Sequence, residues 1–235
     1  MRIARRYAIR DSGIFHKMWR GHNREHVLAS RTDKLSYLSS LRITLTAAIV
    51  PFVVWHSYCL MGNHAHETGR LLLKKRMRRC LKALGDWMRN AHSRFGMAYN
   101  RRNHRQGKVA YDRPKTKEID AKGGLLQVMF YGDANPVAAG MVSHPSRYPY
   151  SSYRYYAYGK KDETTETLTE PPEYVALGST PGERQKKYRE LCDAYLREVG
   201  LLNDKPPEGA DLATIEAEDV ASKIAASIRG DPIPF

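Results

Sequence analysis

Hydrophobic positions along the chain fall either at three-to-four-residue spacings or in short β-branched and aromatic runs, and the two patterns mark elements. Residues 13–20 read as a first strand, closed by Gly21 and Asn23, which permit a tight turn. Thr32 predicts a helix N-cap, and Leu35, Leu38, Leu41 and Leu45, three or four apart, predict one buried helix face that Pro51 stops. Residues 52–61 (FVVWHSYCLM) are rich in β-branched and aromatic residues and have the length of a buried central strand. The longest helix follows, with Met77, Leu81, Leu84, Met88, Ala91 and Phe95 on one apolar face. Past a polar loop at 101–107, short extended segments are predicted at 109–111 and 116–119, then a helix over 121–134 limited by Pro136. A tyrosine-rich stretch at 148–158 leads through a polar linker, 159–172, to a helix over 183–201 carried by Tyr188, Leu191, Tyr195 and Val199. The final residues, with Pro206, Pro207, Gly209, Pro232 and Pro234, read as a loosely ordered tail.

Charge sharpens this picture more than composition does. At 235 residues, with 42% hydrophobic and 27% charged side chains, the chain is sized for one large domain or one domain plus an appendage. Its formal net charge of +14 points to a polyanionic partner. Residues 160–235 hold 10 Lys and Arg against 16 Asp and Glu, so the first 159 hold 29 against 9 and carry the whole basic excess. Three scattered cysteines, Cys59, Cys80 and Cys192, exclude a disulfide framework or thiolate zinc site and suit a reducing, cytoplasmic setting. The most apolar stretch, residues 43–55, is too short for a bilayer, which takes ~20 residues. The basic N-terminus lacks the apolar segment of a secretory signal.

The cations cluster. Lys74, Lys75, Arg76, Arg78, Arg79 and Lys82 run without an interleaved acid at the start of the long helix, either as a solvated face or as a phosphate contact. Arg5, Arg6 and Arg10 form a candidate arm. Arg101, Arg102, Arg105 and Lys108 form a basic loop beside Tyr99 and Tyr111, which could stack on unpaired bases. The tyrosines of 148–158 read as packing rather than base platforms.

Two constellations carry candidate chemistry. In an extended chain His64 and His66 point to the same face, a two-point grip on a divalent metal that needs a third ligand. His56, on the preceding strand, reads as a packed or surface residue. In a helix, Tyr131 and Asn135 lie one turn apart on one face. A phenol with a pKa near ~10 is a poor nucleophile at neutral pH, but one held against a metal-polarised electrophile forms a covalent ester.

Four motifs in order over residues 13–159 carry a family resemblance: MWRGHNRE at 18–25, YCLMGNHAHETG at 58–69, NRR ahead of a glycine at 100–107, and YGDANPVAAGMVSHPSRYPYSSYRYYAYG at 131–159. Together they resemble the HUH single-strand transposases, in the REP-associated tyrosine transposase branch. The resemblance implies a ferredoxin-like α+β fold, an antiparallel sheet with helices packed on it, to which the chain adds a C-terminal helical appendage. The matching domain would span 1–159, followed by a linker and helix over 160–202 and a tail over 203–235.

The same resemblance implies a Mg²⁺ or Mn²⁺ site from His64, His66 and Asn135, with Tyr131 as nucleophile, cleaving and rejoining single-stranded or hairpin DNA through a 5′-phosphotyrosine. The partner is then DNA, with no membrane, and the protein a monomer or homodimer. A domesticated hairpin binder and a replication-initiator-type nicking enzyme are the competing readings. Gly62 stands where the family usually has Pro, and Gly132-Asp133-Ala134 replaces bulkier residues. Glu67-Thr68-Gly69 interrupts the apolar strand expected after His66, and Glu67 either approaches the metal or ends the strand.

Overall fold

The computed structural model describes residues 9, 11–72, 77–110, 113–120 and 124–202. Four strands, β1 (Ile14–Arg20), β2 (Val53–Leu60), β3 (His64–Leu71) and β4 (Lys115–Glu118), form one antiparallel sheet in the order β2-β3-β1-β4. Helix α1 (Arg31–Thr44) joins β1 to β2 and α2 (Met77–Arg102) joins β3 to β4, giving the β-α-β-β-α-β order of a ferredoxin-like α+β fold. The remaining helices are α3 (Gly124–Ala138), α4 (Tyr153–Tyr158), α5 (Pro172–Val175) and α6 (Pro181–Glu198). The chain divides into two compact units, one of residues 1–125 with Lys161–Thr169, the other of Leu126–Lys160 with residues 170–235.

In the first unit the turn after β1 forms as the sequence predicts. A Cβ on Gly21 would meet the Glu25 carbonyl oxygen at 2.5 Å, and Asn23 takes a positive φ of 50°. The cap of α1 is Ser30 rather than Thr32: Ser30 Oγ accepts from the Asp33 amide at 3.0 Å, and Asp33 also complements the helix dipole. That helix ends at Thr44, well before Pro51, and of its predicted face Leu38 and Leu41 are buried while Leu35 is exposed. Tyr37 takes the inward position instead. On α2 the buried stripe is wider than predicted, because Cys80, Ala83 and Trp87 join Leu84, Met88, Ala91 and Phe95.

The sheet has two chemically different faces. Phe15, Lys17 and Trp19 of β1 and Ala65, Glu67 and Gly69 of β3 point one way, toward α1 and α2, where Trp19 stacks on Tyr37 at 5.1 Å and meets Phe95 edge-on. β2 joins this face through Val53 and Trp55, then through Tyr58 and Leu60. The phase change is made by a bulge at His56, which lets Trp55 pair with Gly69 but Ser57 with Thr68. His56 itself is buried, its Nδ1 2.6 Å from the Thr169 carbonyl oxygen.

The expected break in β3 does not occur. Glu67, Thr68 and Gly69 all pair on both sides, and the strand runs on to Leu71. A buried partner explains this. Lys17 Nζ lies 2.8 Å from Glu67 Oε2 and donates to Tyr37 Oη at 2.9 Å, and Tyr37 donates to Glu67 Oε1 at 2.6 Å. Glu67 therefore neither ends the strand nor approaches a metal on the opposite face.

The second unit is built around tyrosines. Tyr153, Tyr156, Tyr174 and Tyr188 interlock at ring distances of 4.8 to 6.1 Å, and Phe130 of α3 packs on Tyr188 at 5.1 Å. Tyr148, Tyr153 and Tyr156 are buried, as the packing reading of that stretch expects. Helix α6 starts at Pro181 behind a Thr180–Glu183 capping box, two residues ahead of the predicted start. Pro136 does not end α3, which continues to Ala138. No helix among the described residues is long and apolar enough to cross a membrane.

Candidate functional site

His64 and His66 open β3 and, two residues apart, share the sheet face opposite Lys17 and Glu67. Their rings stand edge to face with centroids 5.0 Å apart. Burial, aided by the nearby Arg20 guanidinium, pushes His64 down to about 4, and burial with the neighbouring His16 and His64 pushes His66 well below the usual imidazole range. Both rings are therefore neutral near pH 7, the form a metal requires.

The protons on His64 can be placed. Its Nδ1 is 2.7 Å from Asn63 Oδ1, an atom that only accepts, so Nδ1 carries the hydrogen and Nε2 the lone pair. That Nε2 is buried with no hydrogen-bond partner among the described residues. A buried, unsatisfied acceptor costs about 1–3 kcal/mol, which a bound cation would offset.

β-Sheet register collects further groups on this face. His16 and Met18 of β1 sit opposite Thr68 and His66, Arg20 opposite His64, and Lys117 and Lys115 of β4 opposite His16 and Met18. Arg20 Nε is also buried without a hydrogen-bond partner among the described residues. His16, Arg20, Lys115 and Lys117 escape a reading of local motifs because they are far from the NHAH segment at 63–66 in sequence. The alternation of β1 would have shown that His16 and Arg20 share a face, but not which strand they meet.

Tyr131 and Asn135 belong to the second unit. They lie one turn apart on α3, as their spacing requires, and Asn135 Nδ2 donates to the Tyr131 carbonyl oxygen at 2.8 Å. That leaves the amide oxygen of Asn135 as the acceptor of its side chain. Burial raises the pKa of the Tyr131 phenol, partly offset by a hydrogen bond from the Asn135 side chain, so the phenol keeps its proton near pH 7. The small residues between them pack inward. Gly132, Asp133 and Ala134 are buried, and Asp133 Oδ2 accepts from Tyr188 Oη of α6 at 2.7 Å.

The basic residues separate into classes. Arg78, Arg79, Arg101 and Lys108 are exposed. Arg102 is tied to Asp33 at 2.8 Å, and Arg105 to Glu25 at 3.0 Å with its guanidinium 5.8 Å from the Tyr99 ring centre. Arg5, Arg6, Lys74 and Lys75, together with Arg10, Arg76 and Tyr111, lie outside the described residues.

Among the described residues no group of three or more His, Cys, Asp and Glu side chains is arranged to hold a metal ion. Within the first unit, two imidazoles are the donors available to a resident ion, and the orphaned Nε2 of His64 fits that chemistry.

No family model matches the chain, and no curated protein matches it. Among solved structures it is similar to a REP-associated tyrosine transposase bound to a REP hairpin, at 18% identity over 70% of this chain and 90% of that one, with a TM-score of 0.47.

Proposed function

We propose that the protein is a metal-dependent DNA transposase that cleaves and rejoins single-stranded or hairpin DNA through a covalent tyrosine intermediate. The observation that carries this reading is the pair of neutral histidines at the start of β3, His66 buried and His64 half-buried, with the lone pair of His64 Nε2 unengaged. His64, His66 and Asn135 would hold Mg²⁺ or Mn²⁺. When bound, that ion polarises the scissile phosphate and offsets the charge that develops on its oxygens.

The protein's own groups do the rest. Arg20, Lys115 and Lys117, on the histidine face of the sheet, supply positive charge for a phosphate backbone. Tyr131 Oη attacks phosphorus, the bond from phosphorus to the 3′ oxygen breaks, and the phenolic proton ends on that oxygen. The products are a 5′-phosphotyrosine and a free 3′-hydroxyl. Because the ester conserves the bond, attack by another 3′-hydroxyl rejoins the strand and restores Tyr131 with its proton.

The test uses purified full-length protein, end-labelled single-stranded hairpins and Mn²⁺. Wild type is expected to form an adduct stable to denaturing electrophoresis that Tyr131→Phe does not form. His64→Ala should lose cleavage and keep hairpin affinity. If wild type binds the hairpins and forms no adduct across a broad substrate set, the protein is a binder and not a transposase.

A further inference from the structure

His16 has no part in the chemistry so far, yet it is in hydrogen-bond contact with a proposed ligand. It lies on β1 diagonally across from His66, and its Nε2 is 2.9 Å from His66 Nδ1. The two rings are nearly coplanar, with planes 10° from parallel and centroids 5.1 Å apart, so the nitrogens meet edge to edge in the ring planes. Both side chains are buried, at 8% and 3% exposure, so water does not compete for the contact.

A hydrogen bond between two neutral imidazoles contains one proton, and its position decides what His66 can do. If His16 donates, His66 carries its own hydrogen on Nε2, which then has no lone pair for a metal. If His66 donates from Nδ1, its Nε2 becomes a donor atom for an ion. His64 shows which arrangement the strand uses. Its Nδ1 is engaged by Asn63 Oδ1, an obligate acceptor, so its Nε2 carries the lone pair. The same ring nitrogen is engaged in both residues, by Asn63 in one case and His16 in the other.

We propose that His16 is a positioning residue: it accepts the Nδ1 hydrogen of His66 through Nε2, fixes the orientation of that ring through this in-plane bond, and so presents His66 Nε2 beside His64 Nε2 to a divalent cation. The inference rests on the metal-site reading above. It extends that site by a residue on another strand, so a change 48 positions upstream of His64 should alter metal affinity.

The tautomer is measured first, in the metal-free full-length protein. Two-bond proton–nitrogen NMR correlations should show His66 protonated on Nδ1, and a His66 protonated on Nε2 overturns the proposal. Affinity for Mn²⁺ alone is then measured by titration calorimetry, without DNA. His16→Phe keeps an aromatic ring at this position and removes the acceptor, and should weaken Mn²⁺ binding about 10- to 100-fold. His16→Gln, whose Oε1 can accept the same hydrogen, should recover most of that loss. Wild-type Mn²⁺ binding with His16→Phe within twofold of it overturns this inference and leaves the metal site standing. A wild type that binds no Mn²⁺ overturns both. The NMR measurement needs no variant, so a poorly folding His16→Phe does not remove the test.

Discussion

Lys17 and Glu67 form an ion pair with almost no solvent access, each side chain at 1% exposure, on the sheet face away from the histidines. Charges so placed are costly unless every partner is present, and here they are: Tyr37 bonds both, and His92 Nε2 lies 3.3 Å from Lys17 Nζ and 3.2 Å from Tyr37 Oη. Removing one charge strands the other. Glu67→Ala should lower unfolding stability by about 3–5 kcal/mol, read as a drop in the urea midpoint, whereas Lys17→Met with Glu67→Met should recover most of it. Because the two residues are directly paired across β1 and β3, they also oppose a one-residue slip between these strands, which would put His16 on the opposite face of the sheet from His64 and His66.

At the scale of elements, α3 is held to α6 by a bond that titrates. Burial pushes the Asp133 carboxyl up to about 7, against the lowering effect of its hydrogen bonds with Tyr188 and Ser151. The folded value lies above the unfolded one, so the stabilising protonated form is fully present below the unfolded value near ~4 and its contribution is lost as pH rises through about 7. Thermal unfolding followed from pH 5 to pH 8 should show wild type losing stability across that window relative to Asp133→Asn, which has no carboxyl to ionise. β3 shows a different local constraint. A Cβ on Gly69 would strike the Val54 carbonyl oxygen and sit 2.6 Å from Phe15 Cζ, so this strand position is glycine because a neighbouring strand and an aromatic ring already fill the space.

Across the whole molecule, charge and chemistry are distributed differently. Exposed Arg78, Arg79, Arg101 and Lys108 supply field and carry no salt bridge among the described residues, whereas Arg102 and Arg105 are paired with acids. On the proposed function, hairpin affinity falls linearly with the logarithm of salt, and each of the four exposed cations replaced by alanine should reduce the slope by roughly 0.7 to 0.9 if it contacts a phosphate. Filter binding over a range of NaCl checks this, and an unchanged slope removes that residue from the interface. Arg102→Ala should instead act on stability, since it leaves Asp33 without its partner.

Much of this was legible in one dimension. Local signals alone determined β1, β2, the long α2 and most of the helix that carries Tyr131, because periodicity, residue type and length are read within a single element and need no knowledge of its neighbours. They likewise put His64 and His66 on one side of the chain. They failed where the deciding partner is distant in sequence. Glu67-Thr68-Gly69 reads as a strand breaker until Lys17 and Phe15 are brought against it, and β2 reads as one continuous buried strand until the bulge at His56 shifts its phase. Only cross-strand register decided that His16 meets His66, that Arg20 meets His64, and that Lys115 and Lys117 join their face. Register is set by the sum of many long-range contacts, and no stretch of sequence contains it.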